Sequence, residues 1–280
     1  MLLRAFILME ISSQASNSDM PRNQSDMTPA QAAAALAWLA EMGADEVIGE
    51  APVDRFAASA QPARTAVPPP VAAPVPRAAS TPADLASCRS LADIAAALAV
   101  FDACPLKKTA TNLCYADGNP AARVMLVGEA PGRDEDLQGK PFVGRSGQLL
   151  DRMLAAIGLD RHAEDRESAV FITNVIFWRP PGNRTPTEAE TAMCLPFLLK
   201  TIEIQKPDVI VCLGATPAHR LTGKSEGILK LRGKWTEATV SGRRIPLLPT
   251  LHPAYLLRQP AQKRLAWRDL LSLRQALDAH

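Results

Sequence analysis

The sequence predicts an α/β fold: a short, mainly parallel sheet of four strands covered by helices on both faces. Three observations lead there. From about residue 104 onward, short apolar runs alternate with longer segments of helical periodicity. The apolar runs read as buried strands, the type that sits in parallel sheets with both faces covered. At 280 residues the chain is also long enough to bury a sizeable core.

The elements follow in order. The first ten residues, MLLRAFILME, imitate a signal peptide, but Arg4 and Glu10 interrupt the apolar run and no convincing cleavage site follows. Met20 and Met27 are alternative starts, so residues 1–27 are expected to be disordered or a non-native start. TPAQAAAALAWLAEMGADE reads as an amphipathic helix within residues 28–50, with Thr28 as cap, Pro29 in the first turn and Gly43 at the end. Such a helix cannot fold alone and is expected to dock on the main domain or on a partner. Seven prolines between Pro62 and Pro82 make residues 51–82 a semi-extended linker. A helix over about 82–101 then opens the main domain, residues 83–280.

In that domain Arg123–Val127 is the first strand and runs into a Gly-Pro turn. GRSGQLLDRMLAAIG is a helix with Leu149, Leu150, Met153, Leu154 and Ile157 on one face, and SAVFITN is the second strand. RTPTEAETAMCLPFLLKTIEI is a long helix opened by a capping box from Thr185 to Glu188, with Pro186 in its first turn. KPDVIVCLG is the third strand, followed by a helix through His219; RRIPLLPTLHP is the fourth, and a last helix starts near Pro260.

Composition narrows the class. Residues 1–100 hold 6 basic and 10 acidic side chains and the remaining 180 hold 25 and 19, so an acidic leader precedes a basic domain. That balance suits a polyanion partner and equally a plain solvated surface. The five cysteines form no CxxC pair, which argues against a disulfide scaffold or a regular zinc site and for a reduced, cytosolic protein. No apolar run is long enough for a membrane span.

Ligands of parallel sheets bind beyond the carboxyl ends of the strands. Those ends here carry Gly128, Glu129 and Ala130, then Asn174, Gly214 and His252. The segment GEAPGRDEDLQGKPFVGRSGQ is rich in glycines that let backbone approach a ligand, and Ser146 sits where a helix begins, a natural anion site. It matches neither a nucleotide-binding GxxxxGK[ST] loop nor GxGxxG. Phe142 is either a core plug or a platform for a flat ring. Asn174 is either a turn cap or the reader of an imide edge, since its amide both donates and accepts. His252 is either structural or a donor to developing negative charge. Leu256 and Leu257 either pack or wedge into a base stack.

Four motifs in this order, GEAPGRDEDLQGKPFVGRSGQLLDRML, ITNV with RPPGNRTPT, DVIVCLG and LHPAYLLRQP, resemble the family 4 uracil-DNA glycosylases over roughly residues 100–278. The resemblance implies a three-layer α/β/α domain that flips deoxyuridine out of single- or double-stranded DNA and cuts its N-glycosidic bond, a base-excision repair activity without strand cleavage. By analogy Phe142 stacks on uracil, Asn174 reads its O4/N3 edge beside Gly128 and Ala130, and His252 hydrogen-bonds O2. Glu129, and Glu135 with it, position water or stabilise the cationic sugar. Leu256 fills the vacated stack, and Lys140, Arg145, Ser146, Arg179, Arg184 and Arg258 contact DNA. The alternative is a protein that binds uracil-DNA or abasic DNA with little turnover.

The chain departs from that family at its iron–sulfur ligands. Family members hold a [4Fe–4S] cluster on four cysteines; here Phe101 and Trp178 occupy two of the ligand positions, leaving Cys104 and Cys194. No cluster and no other cofactor are expected. A related branch bonds covalently to DNA through a histidine, and Asn183 falls at that place, so no covalent adduct is expected. The remaining expectations are a monomer, a cytoplasmic, nucleoid-associated location, and a repair partner for the N-terminal helix.

Overall fold

The computed structural model describes residues 83–279. The expectations for residues 1–82, including the amphipathic helix and the proline-rich linker, lie outside the described residues. A 3-10 turn, Ala83–Ser87, leads into α1, Leu91–Val100, where Ser90 and Asp93 close a reciprocal capping box. Strand β1, Ala116–Gly118, precedes β2, Val124–Gly128. Helices α2, Arg133–Gln138, and α3, Arg145–Ala155, connect β2 to β3, Val170–Asn174. Helix α4, Glu188–Gln205, crosses to β4, Val209–Leu213; α5, Ala215–Thr222, and α6, Ile228–Leu231, follow. A hairpin of β5, Thr236–Val240, and β6, Arg243–Thr250, leads to α7, Pro253–Arg258, and α8, Lys263–Asp278.

The sheet has six strands in the order β1-β3-β2-β4-β6-β5. The inner four are parallel and are the four expected; β1 and β5 are added antiparallel at the edges. β1 escapes a sequence reading because Ala-Asp-Gly carries no strand signal. β5 has one: TEATV alternates, and Ser241-Gly242, both at positive φ, form the two-residue connection to β6.

The two faces of the sheet bury separate cores. Met125, Val127, Phe171, Ile210 and Cys212 face α1, α4 and α5 with Phe177 and Phe197, whereas Val124, Leu126, Ile172 and Val211 face α3 and α8 with Leu150, Leu154, Leu270 and Leu273. This period-two division of continuous apolar runs is what a covered parallel sheet requires. Helix α4 starts two residues later than the expected box. Thr187 and Glu190 close it, because the buried Glu190 carboxylate also receives Arg184 in two bonds of 2.9 and 2.6 Å. Among the described residues no helix is long and apolar enough to cross a membrane.

Candidate active site

The carboxyl ends of the inner strands open into a cleft of about 540 Å³. In strand register Gly128 lies opposite Asn174, so the loop after β2 and the tip of β3 meet at its floor. Asn174 is 1 % exposed and among the described residues its Oδ1 has no hydrogen-bond partner, which argues against the turn-capping reading, since a cap must accept. A buried amide oxygen left unpaired is costly and points to a ligand group as its partner. Gly128 must be a glycine: a Cβ there would stand 2.3 Å from that oxygen and 2.6 Å from the Phe142 ring.

Phe142 forms the opposite wall, its ring centroid 5.5 Å from that of His252. It is held at φ 54°, a conformation non-glycine residues seldom adopt, so its surroundings must hold it there. Three groups do. Glu135 accepts the backbone N–H groups of Gly132 (3.1 Å), Val143 (3.1 Å) and Gly144 (2.9 Å), stapling the Phe142 loop to the start of α2. Arg161, buried against Asp151 and Asp117, donates to the Pro141 carbonyl at 3.2 Å. Gly147 lets α3 pass beneath the Phe142 carbonyl, where a Cβ would stand 1.8 Å away. Glu135, expected beside Glu129 as a catalytic carboxylate, thus has both oxygens engaged by the backbone. Glu129, on the cleft wall, accepts one side-chain bond, from the Thr216 hydroxyl at 2.5 Å.

His252 caps α7. Its Nδ1 accepts the Ala254 N–H at 3.1 Å, so a neutral ring carries its proton on Nε2. Burial, and then the nearby Arg258 charge, hold its pKa down to about 4, so the ring is a neutral N–H donor at physiological pH.

The expected DNA contacts divide. Ser146, Arg184 and Arg258 line the cleft. Lys140 and Arg145 are exposed outside its lining, Lys140 3.3 Å from Asp117, and Arg179 donates to Asn183 Oδ1 at 2.7 Å. Ala130 lines the cleft. Leu256 is a correction. It is fully buried against Leu149, Leu251 and Ala266, because α7 turns it into the core and turns Tyr255 and Arg258 toward the cleft. A leucine in that packing is no wedge. Sequence reasoning missed Arg161, Thr216 and Tyr255. A lone arginine or threonine carries no motif, and the direction of Tyr255 follows from the unforeseen helix.

The residues at the four cluster positions do not fit an iron–sulfur centre. Cys104 and Cys194 are fully buried, and the neighbouring Cys104 thiol, and then burial, push the Cys194 thiol up. Where two more thiolates would be needed, the Phe101 ring stacks on Trp178 at 6.4 Å and packs on Phe197 at 4.9 Å, within the same core. Among the described residues no three His, Cys, Asp or Glu side chains converge on a metal position.

The family model of the uracil DNA glycosylase superfamily matches residues 115–271, the stretch that holds the whole sheet and cleft. The chain is 45 % identical over 171 residues to a type-4 uracil-DNA glycosylase of Thermotoga maritima, covering 60 % of this chain and 84 % of that one. It is 43 % identical over 175 residues to the type-4 enzyme of Archaeoglobus fulgidus, with 61 % and 85 % covered. It is 41 % identical over 173 residues to that of Pyrobaculum aerophilum, with 60 % and 85 % covered.

Proposed function

Because the chain belongs to the uracil DNA glycosylase superfamily, we propose that its cleft is a uracil pocket and that the protein is a monofunctional uracil-DNA glycosylase of base-excision repair. The observation that carries the pocket assignment is the buried Asn174 Oδ1, unpartnered among the described residues, in the cleft that Phe142 and His252 also line. Deoxyuridine leaves the DNA stack, at a cost of a few kcal/mol, and enters the cleft. Its ring lies on Phe142. Asn174 accepts from uracil N3–H and donates to O4, a pairing that cytosine, with its amino group and unprotonated N3, does not offer.

The C1′–N1 bond then breaks with its electron pair going to the base. Charge spreads to O2, where the neutral His252 Nε2–H donates to it. Glu129 faces the sugar that becomes oxocarbenium-like and orients the water that adds to C1′, taking its proton. The products are an abasic site and uracil. Arg258 and Ser146 hold the flanking phosphates, which sets affinity and salt dependence rather than base choice. The chain works as a monomer on the DNA of the nucleoid, and size-exclusion chromatography of a dimer would count against that. Asn183, whose amide is no nucleophile, falls at the place of the adduct-forming histidine, so a denaturing gel is expected to show free protein.

The experiment is uracil release from a single-stranded oligonucleotide under multiple turnover. Asn174→Ala is expected to slow single-turnover excision roughly a hundredfold or more, the scale of losing a preorganised polar contact, with DNA binding changed far less. Tight binding to uracil-DNA with no release would replace the enzyme by a binding protein. For the cluster positions, the aromatic packing supports a chain that folds without iron. Iron and acid-labile sulfide in stoichiometric amount, in protein purified without oxygen, would overturn that reading.

A further inference from the structure

We propose that Thr216 is the positioning residue for Glu129: its hydroxyl fixes the carboxylate that meets the reacting sugar. The inference rests on the function proposed above and deepens it. The sheet order dictates the meeting. The chain leaves β2 to build β3 on one side and then crosses, through α4, to build β4 on the other. The crevice of such a sheet forms where the order switches, between β2 and β4. Glu129 follows β2 directly and Thr216 stands in the first turn after β4, so residues 87 apart in sequence meet across the switch point at 2.5 Å.

The hydroxyl reaches outward for a local reason. Thr191, Thr201 and Thr222 sit in helices and donate back to the carbonyls of Thr187 (2.8 Å), Phe197 (2.7 Å) and Ala218 (2.6 Å), each four residues earlier. Thr216 is the second residue of α5, and four residues before it lies Cys212, inside β4. No helical carbonyl is in place for it, so the Glu129 carboxylate is its acceptor. The turn that sets this up is tight. Gly214 takes φ 106°, and a Cβ on it would lie 3.5 Å from the Cβ of His252, so one turn backs His252 and launches the helix that carries Thr216. Pro217 then fixes φ in the first turn, where its missing N–H costs nothing.

The bond pins one oxygen of a side chain that otherwise has three free torsions. Among the described residues the other oxygen has no protein partner, which leaves it for water or the sugar. A hydroxyl-to-carboxylate bond is charge-assisted and short, suited to holding one rotamer. Misplacing a reacting group by about 1 Å costs on the order of a hundredfold in rate.

The test uses the full chain and a uracil-containing single-stranded oligonucleotide, with single-turnover rate, oligonucleotide Kd and Tm read together. Thr216→Val keeps the shape and removes the hydroxyl. It is expected to slow excision about 10- to 100-fold, with Kd within about twofold and Tm nearly unchanged. Thr216→Ser restores most of the rate. In a Glu129→Gln background Thr216→Val adds no further loss, the non-additivity of two groups acting as one unit. An unaffected rate in Thr216→Val, a serine variant as slow as the valine one, or full additivity with Glu129→Gln would overturn the inference alone. A wild-type chain that releases no uracil would overturn the proposed function and this inference with it. Should Thr216→Val lose the fold, Thr216→Ala enters the same comparison.

Discussion

The fold keeps the His252 ring uncharged. A protonated ring would lose the Nδ1 acceptor that the Ala254 N–H needs, inside surroundings that already penalise charge. The sign of the pH effect follows. The unfolded chain takes up a proton near the ordinary histidine pKa of about 6.5, whereas the folded chain refuses it until about pH 4. The stability this neutral ring contributes is therefore fully present above the unfolded value and is lost as pH falls from there toward about 4. Thermal melts of wild type and His252→Gln at stepped pH are expected to show the wild-type advantage shrinking across that window. Excision is likewise expected to show no histidine inflection between pH 6 and 7, which a pH–rate profile checks.

Helix α7 shows how an element can reassign its residues. As a loop, HPAYLLRQP offers any of its apolar side chains to the DNA. As a six-residue helix it commits Leu256 to the core and sends Tyr255 and Arg258, three residues apart, to the cleft. Leu256→Ala is expected to cost about 2–5 kcal/mol of stability, read from denaturant midpoints. Tyr255→Ala costs less stability and instead weakens binding to uracil-DNA. A six-residue helix is too short for periodicity to reveal, which is why the sequence could not orient it. The α4 terminus is a different failure. TPTEAE contains two overlapping capping boxes, and Arg184, outside both, selects the second by pairing with Glu190. The inner strands were legible because Val124–Gly128, Val170–Asn174 and Val209–Leu213 are unbroken buried runs. At the cleft, Asn174, Phe142, Glu129 and His252 stood out as strand-end or glycine-loop residues. Thr216 and Arg161 act through contacts 87 and 20 residues away, which no local pattern encodes.

On the scale of the molecule, the basic excess lies in the 180 residues after residue 100, which carry the cleft. Its cations are not equivalent. Arg184 lends its charge to Glu190, whose carboxyl it draws down to about 2, while Arg258 makes no ion pair among the described residues. Arg258→Ala is expected to flatten the slope of log K against log salt by about 0.7–0.9. Arg184→Ala is expected to flatten it less and to loosen the start of α4, and titrations at several salt concentrations separate the two.

The join between α1, the Trp178 loop and α4 is made by Phe101, Trp178 and Phe197 around two thiols. Such a strut is finished as soon as the polypeptide is. Side chains supply every contact of it that the described residues show. On the metal-free reading proposed above, iron starvation or exposure to oxygen would leave this join as sound as before.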